Sequence, residues 1–90
     1  MSALQAQFEV AIVTSRSLRV VRKEDQLKLY SLYHQAKIGD VSGRCPGFTN
    51  VVNRAKYRAW EQLRGTSRHH AMQQFVTLTE SLSNRPIAIF

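Results

Sequence analysis

Residues 29–48 of the chain read LYSLYHQAKIGDVSGRCPGF, and this stretch decides the fold. Its first half places apolar side chains three and four positions apart, which is the spacing of one face of an α-helix. These side chains are Leu29, Leu32, Tyr33 and Ala36. Gly39 stands where a helix commonly ends in a left-handed residue. Residues 39–48 then hold three of the four glycines and one of the two prolines, which predicts a long loop that crosses the molecule.

Helical periodicity covers three more segments, and no segment alternates polar and apolar side chains at period two. The predicted helices span about residues 3–16, 23–37, 50–64 and 67–83, with a C-terminal tail at 84–90. The apolar stripe predicted for the third helix comprises Val51 or Val52, Ala55, Ala59, Trp60 and Leu63. Because 90 residues suffice for only one compact domain, the sequence predicts a single all-α four-helix domain over residues 1–90.

The composition points to a folded, strongly basic protein. There are 13 Lys and Arg residues against 6 Asp and Glu, a net charge of +7, and 43% of the residues are hydrophobic. A positive field of this size favours anionic partners, such as nucleic acid, anionic lipid or a phosphorylated small molecule. Cys45 is the only cysteine, so no intrachain disulfide can form. Since no stretch has the features of a signal peptide or a membrane span, we expect a soluble, cytoplasmic protein.

The motifs of catalysis and metal binding are missing from the sequence. Cys45, His34, His69 and His70 lack the spacing of a zinc site, so no metal is expected. Cys45 has only Arg44 beside it in sequence to lower the pKa of a nucleophilic thiol. Glycine patterns of phosphate or dinucleotide sites and the nucleophile elbow are absent as well. The sequence therefore predicts no enzyme and no cofactor.

Aromatic and basic side chains alternate at helical spacing on two predicted helices. They are Tyr30, Tyr33, His34 and Lys37 on the second helix, and Lys56, Tyr57 and Trp60 on the third. Such surfaces can stack a purine while cations hold its phosphates. The residues alone favour a structural interpretation, in which Tyr33 and Trp60 belong to the core, Tyr30 is a half-buried edge residue and Lys56 is a solvated charge. They also leave open a basic helical nucleic-acid-binding module, or a protein-interaction module that uses the tail Pro86–Phe90.

Several segments, in their order and spacing, resemble the acyl-CoA-binding protein family. The segments are LYSLYHQAKIGD at 29–40, RCPG at 44–47, AKYRAW at 55–60, LRGTS at 63–67 and Ala71-Met72. The resemblance implies an up-down-down-up four-helix bundle with a long overhand loop between helices 2 and 3. It also implies a monomeric carrier that performs no chemistry. Such a carrier binds long-chain fatty acyl-CoA thioesters as a soluble pool and meets the enzymes that use them only transiently.

The resemblance also carries ligand-binding roles to particular positions. Tyr30 matches a tyrosine that contacts the phosphate region of the nucleotide, and Tyr33 matches an aromatic residue near the adenine. Lys56 matches a lysine that pairs with the ribose 3'-phosphate, and Arg16 stands where helix 1 usually offers a lysine to the CoA head. Ser31 and Leu32 complete the ligand-facing stretch of helix 2.

Three positions depart from the pattern of the family. His34 stands in the place of a lysine that helps to hold the 3'-phosphate, and Val52 replaces a residue that is often lysine. Phe75 replaces a tyrosine on helix 4, which keeps the ring and loses the hydroxyl group. These departures concern the affinity for the head group more than the class of ligand.

Overall fold

A computed structural model describes residues 2–84 of the chain, which include four helices and no strand. The helices are α1 (Ala3–Arg16), α2 (Lys23–Lys37), α3 (Val51–Glu61) and α4 (Arg68–Ser83). The all-α, four-helix prediction is confirmed. The predicted tail, including the proposed docking peptide at 86–90, lies outside the described residues apart from Asn84.

Residue types at the helix ends explain where the helices begin and end. The hydroxyl groups of Ser2 and Ser67 accept hydrogen bonds from the backbone N–H groups of Gln5 and His70, both at 3.0 Å, and so cap α1 and α4. After α2, Gly39 has a φ of 96°, a conformation that glycine adopts without strain, as the sequence predicts.

α3 ends at Glu61, three residues earlier than predicted. Beyond Glu61 the backbone hydrogen bonds join residues three apart, as in a 3₁₀ turn, instead of four apart. They run from Leu63 N to Trp60 O and from Arg64 N to Glu61 O. Gly65, with a φ of 88°, then turns the chain toward α4. The apolar periodicity continues through Leu63, so the sequence pattern does not show this tightening.

The core lies where α4 packs against both α1 and α2. Its buried side chains are Phe8, Ala11, Leu32, Ala36, Ala71, Phe75 and Val76. α3 contributes no buried residue, and among the helices it packs only against α2. Val51 and Val52, from the predicted apolar stripe of α3, are 69% and 65% exposed. The stripe therefore does not form a second core.

α2 and α3 run parallel, which explains the long loop between them. His34 near the end of α2 contacts Trp60 near the end of α3, and Lys56 lies over the Tyr30 ring one turn earlier. α4 runs opposite to α2, as shown by Arg68 at the start of α4, which donates a hydrogen bond to the Ile38 carbonyl just after the end of α2. The order is up-down-down-up. The overhand loop must return along α2, a helix of 15 residues or about 22 Å.

The overhand loop is fixed to the bundle at several points. Val41 is buried at 3% exposure. Tyr57 donates a hydrogen bond to the Gly43 carbonyl at 3.1 Å, and Arg54 donates one to the Pro46 carbonyl at 2.9 Å. The loop is therefore held against α3 rather than projecting into solvent.

One buried side chain, Gln35, joins three segments at the end of α2. Its amide nitrogen donates to Asp40 Oδ1 at 2.9 Å and to the Thr66 carbonyl at 2.7 Å, and its oxygen accepts from Trp60 Nε1 at 3.0 Å. Asp40 Oδ1 also accepts from the Gly65 N–H at 2.8 Å. The hydrogen bonds from Gly65 and Gln35, aided by the charge of Arg64, lower the pKa of the Asp40 carboxyl group.

No helix within residues 2–84 is long and apolar enough to cross a membrane.

Candidate binding groove between the second and third helices

A cavity of about 260 Å³ lies between the first halves of α2 and α3. Its lining is Lys23, Gln26, Leu27, Tyr30, Val51, Val52, Ala55 and Lys56. These positions recur one turn apart on each helix, so one face of each helix supplies one wall. The walls are mostly apolar, and the charged groups among the lining residues are the ammonium groups of Lys23 and Lys56. Such a cavity suits a ligand that has a hydrocarbon part and an anionic part.

At one edge of this groove the cation of Lys56 meets aromatic rings. Lys56 Nζ is 5.4 Å from the centroid of the Tyr30 ring, within the range of a cation–π interaction. The His34 ring lies 4.1 Å from the Tyr30 ring and 5.0 Å from the Trp60 ring. Together these residues form a ledge of flat surfaces beside one fixed positive charge. We call Tyr30, His34, Lys56 and Trp60 the aromatic ledge.

The orientation of His34 is set by its own helix. Its Nδ1 lies 2.9 Å from the carbonyl oxygen of Tyr30. Because a carbonyl oxygen can only accept, Nδ1 carries the hydrogen, and Nε2 is the nitrogen that gains or loses a proton. Protonation of His34 therefore adds one N–H group and one positive charge to the aromatic ledge.

Tyr33 connects the aromatic ledge to the core. Its ring centroid is 5.4 Å from that of His34, 6.3 Å from that of Phe8 and 6.4 Å from that of Phe75. Phe8 and Phe75 in turn meet edge to face at 5.3 Å, and Phe75 is 3% exposed. Tyr33 is half-buried, whereas Phe75 lies behind it and supports it.

Of the sequence-predicted site residues, only Tyr30 and Lys56 line the groove. Ring contacts connect His34 to Tyr30, Tyr33 to His34 and Phe75 to Tyr33. The other three residues lie apart from this cluster. Ser31 and Leu32 are buried and line a second cavity of about 590 Å³ on the α4 side of α2. Adjacent residues on a helix point about 100° apart, which explains why Tyr30 and Ser31 face different cavities. Arg16 is exposed in the last turn of α1. The structure thus brings together Tyr30, Tyr33, His34, Lys56 and Phe75.

The apolar groove walls are absent from the sequence-based set of site residues. Leu27, Val51, Val52 and Ala55 supply those walls. The sequence does contain a signal for these wall residues, because α3 has an apolar stripe although none of its residues is buried in the core. Distinguishing a groove wall from a core stripe requires the position of α2, which the sequence of α3 does not contain.

No group of metal-ligating side chains occurs in the part of the chain described by the structure. His34, which belongs to the aromatic ledge, lies on α2, whereas His69 and His70 are exposed in the first turn of α4. Cys45 has a free thiol in the overhand loop and does not line the groove. The groove offers stacking, apolar contact and positive charge, which are the means of binding.

Comparison with known proteins gives a consistent result. The sequence profile of the family described as Acyl CoA binding protein matches residues 5–79. Acyl-CoA-binding domain-containing protein 2 of Oryza sativa subsp. japonica is 36% identical over 80 residues, which cover 88% of each chain. Acyl-CoA-binding domain-containing protein 6 homolog of Dictyostelium discoideum is 32% identical over 84 residues, but these cover only 29% of that longer protein.

Two solved structures share the fold. The crystal structure of Oryza sativa Acyl-CoA-Binding Protein 2 superposes with a TM-score of 0.88 at 35% identity, covering 91% of this chain and 92% of that one. The crystal structure of ACBP from Moniliophthora perniciosa superposes with a TM-score of 0.84 at 30% identity, covering 93% and 82%. Both similarities extend over nearly the whole bundle.

Proposed function

The chain belongs to the acyl-CoA-binding protein family, and from this premise we propose that it binds long-chain fatty acyl-CoA thioesters in the groove between α2 and α3. It would carry and pool them in the cytoplasm as a monomer, without catalysis and without a cofactor, and would meet the enzymes that use them only transiently. The comparisons favour this function over a nucleic-acid-binding or protein-interaction module.

The observation that carries the proposal is the position of Lys56. Its ammonium group lies over the Tyr30 ring at the edge of an apolar cavity. An acyl-CoA is a molecule with phosphates and a purine at one end and a hydrocarbon at the other. The groove places a cation and aromatic rings next to apolar walls, as the phosphates and purine of the ligand are joined to its hydrocarbon. Both ends of one ligand can therefore be bound at the same time.

The two ends contribute free energy in different ways. A hydrogen bond to a charged group contributes about 1.5–3 kcal/mol. Each buried methylene contributes about 0.8 kcal/mol, so a dozen offer about 10 kcal/mol before ordering costs are subtracted. We therefore expect the hydrocarbon to set most of the affinity. The head group would select among amphiphiles.

We assign the roles of the binding residues as follows. Lys56 and protonated His34 contact phosphate, Tyr30 and Tyr33 contact the nucleotide, and Arg16 approaches the CoA head from the end of α1. The apolar walls at Leu27, Val51, Val52 and Ala55 contact the acyl chain. Ser31, Leu32 and Phe75 act from behind, since their buried side chains hold α2 and Tyr33 in place.

Calorimetric titration with palmitoyl-CoA, free CoA and palmitate tests the proposal. We expect one thioester per chain, with both fragments binding far more weakly, because each fragment satisfies only one part of the groove. Equal affinity for CoA and for its thioester would contradict it. The same titration with a short duplex DNA at moderate salt serves as a control for a general affinity for polyanions.

A further inference from the structure

The most exposed large hydrophobic side chains gather at one end of the bundle. Among the described residues, the four highest exposed fractions are those of Val20 at 91%, Phe48 at 80%, Val51 at 69% and Val52 at 65%. Single exposed apolar residues are ordinary on a soluble protein. Four of them grouped at one end, including an aromatic ring, form a surface that favours contact with an apolar phase.

The topology brings these side chains together. α2 and α3 run parallel and begin at the same end, since Lys23 lines the same cavity as Val51 and Val52. Val20 precedes α2 by three residues and Phe48 precedes α3 by three residues. Each is therefore within about 10 Å of the start of its helix along the chain. We call Val20, Phe48, Val51 and Val52 the apolar tip.

The charges around the apolar tip are mainly positive. The segment 16–23 contains four basic residues and no acidic one, and residues 41–60 likewise contain four basic residues and no acidic one. Three acidic residues belong to this end: Glu24 and Asp25 in the first turn of α2, and Glu80 near the end of the antiparallel α4. Asp25 is paired with Arg22 at 3.6 Å. The surroundings of the tip therefore attract an anionic surface.

We propose that the apolar tip docks on the surface of an anionic lipid bilayer. Exposed apolar side chains within a basic rim match the interfacial region of such a bilayer, where lipid tails and negative head groups occur at neighbouring depths. Nucleic acid would use the cations but not four exposed apolar side chains. The docked orientation places the opening of the α2–α3 cavity beside the lipid. The proposal does not depend on the ligand of that cavity.

The experiment is co-sedimentation of the ligand-free protein with vesicles. Vesicles of phosphatidylcholine alone are compared with vesicles containing one quarter phosphatidylserine, at low and at high salt. We expect binding to the anionic vesicles at low salt and much weaker binding to the neutral ones. Phe48→Ser should lower the partition coefficient on the order of ten-fold, because the ring no longer enters the interface. Phe48 does not line the α2–α3 cavity and is largely exposed, so the variant should fold normally.

Two matched controls come from the opposite end of α2. Ile38→Ser removes a 54%-exposed apolar side chain about 22 Å away along the helix, and it should leave vesicle binding unchanged. Lys37→Glu is the control for Arg19→Glu, which reverses a charge beside the apolar tip. Arg19→Glu should lower the partition coefficient at least about five-fold, and Lys37→Glu should lower it much less.

Three results would overturn the proposal. The first is no binding to the anionic vesicles, which would leave the apolar tip to a protein partner. The second is an equal loss for Phe48→Ser and Ile38→Ser, and the third is an equal loss for Arg19→Glu and Lys37→Glu. The last two would mean that a basic protein adheres to anionic lipid in no fixed orientation.

Discussion

Lys56 has a position that the sequence indicates and the structure explains. Its spacing from Tyr57 and Trp60 predicts a shared helix surface, and the parallel packing of α2 and α3 then brings Nζ over the ring of Tyr30. The ring holds the ammonium group at the edge of the groove while the amine remains able to donate to phosphate. At the scale of single residues, Lys56 is therefore the strongest test of the proposed site.

We expect Lys56→Ala to weaken palmitoyl-CoA binding by about 1.5–3 kcal/mol, because one charge-assisted hydrogen bond to phosphate is lost. Calorimetry measures the change directly. Lys28→Ala is the matched control, since Lys28 lies on α2 but lines the cavity on the α4 side. Equal effects of the two substitutions would indicate that only net charge matters, and would contradict a phosphate contact at Lys56.

Because of His34, we expect the affinity for acyl-CoA to depend on pH in a way that a lysine at this position would not produce. Since Nδ1 is bonded to the Tyr30 carbonyl, a proton taken up at Nε2 adds positive charge beside Lys56. Because protonated His34 attracts phosphate and neutral His34 does not, affinity for acyl-CoA should be higher at mildly acidic than at mildly alkaline pH. His34→Lys should flatten this dependence. Titrations at matched ionic strength provide the measurement, and a pH-independent wild type would show that His34 makes no phosphate contact.

At the scale of elements, α3 is the least anchored of the four helices. It buries no residue in the core, and its apolar face forms a groove wall instead. The wall is therefore available to a ligand without removing any part of the core. Substitutions in this wall should change binding much more than stability.

Ala55→Trp tests the wall directly, because an indole ring at this position would occupy the space proposed for the hydrocarbon. We expect the affinity for palmitoyl-CoA to fall toward that for free CoA, while the affinity for free CoA changes little. The control is Asn53→Trp, which places the same ring on the exposed side of α3. An unchanged affinity for palmitoyl-CoA in Ala55→Trp would place the acyl chain elsewhere.

The sequence predicts a helix boundary or a site residue well when the contacts that determine it lie within the same helix or next to it. Apolar spacing gives the approximate bounds of α1 and α2, together with the Ser2 cap before α1 and Gly39 after α2, because these signals lie in or next to each helix. The early end of α3 depends on backbone bonds at residues 62–66, which no side-chain pattern reports. Likewise the spacing places Tyr30, His34 and Lys56 on related surfaces, but it cannot show that Ser31 and Leu32 face α4.

At the scale of the whole molecule, the network around Gln35 connects regions that are distant in sequence. The residues it joins lie at the end of α2, at the start of the overhand loop and in the turn before α4. Trp60 extends it to α3. The relative placement of all three segments thus depends on a few hydrogen bonds around the buried Gln35 side chain, and the exposed Asp40 is their ionised member.

Asp40 should make the stability of the whole domain depend on pH. Its pKa is lower in the folded state than the ordinary value of 3.8, so its contribution is present above that value and is lost as the pH falls through the folded-state pKa. Urea unfolding from pH 6 to pH 2 should show this loss in the wild type. Asp40→Asn keeps an accepting oxygen without the ionisation, so the difference between the two proteins should shrink toward low pH. Parallel curves would contradict this role.

The joining of α2 and α3 at Gln35 and Trp60 has a mechanical consequence. The two helices are fastened at their C-terminal ends, and their N-terminal halves enclose the cavity without a comparable polar link between the groove walls. A small change in the angle between the helices, pivoting at the fastened end, widens or narrows the space. We therefore expect hydrocarbon chains of different width to be accommodated by a tilt of α3, while the core formed by α1, α2 and α4 keeps its packing.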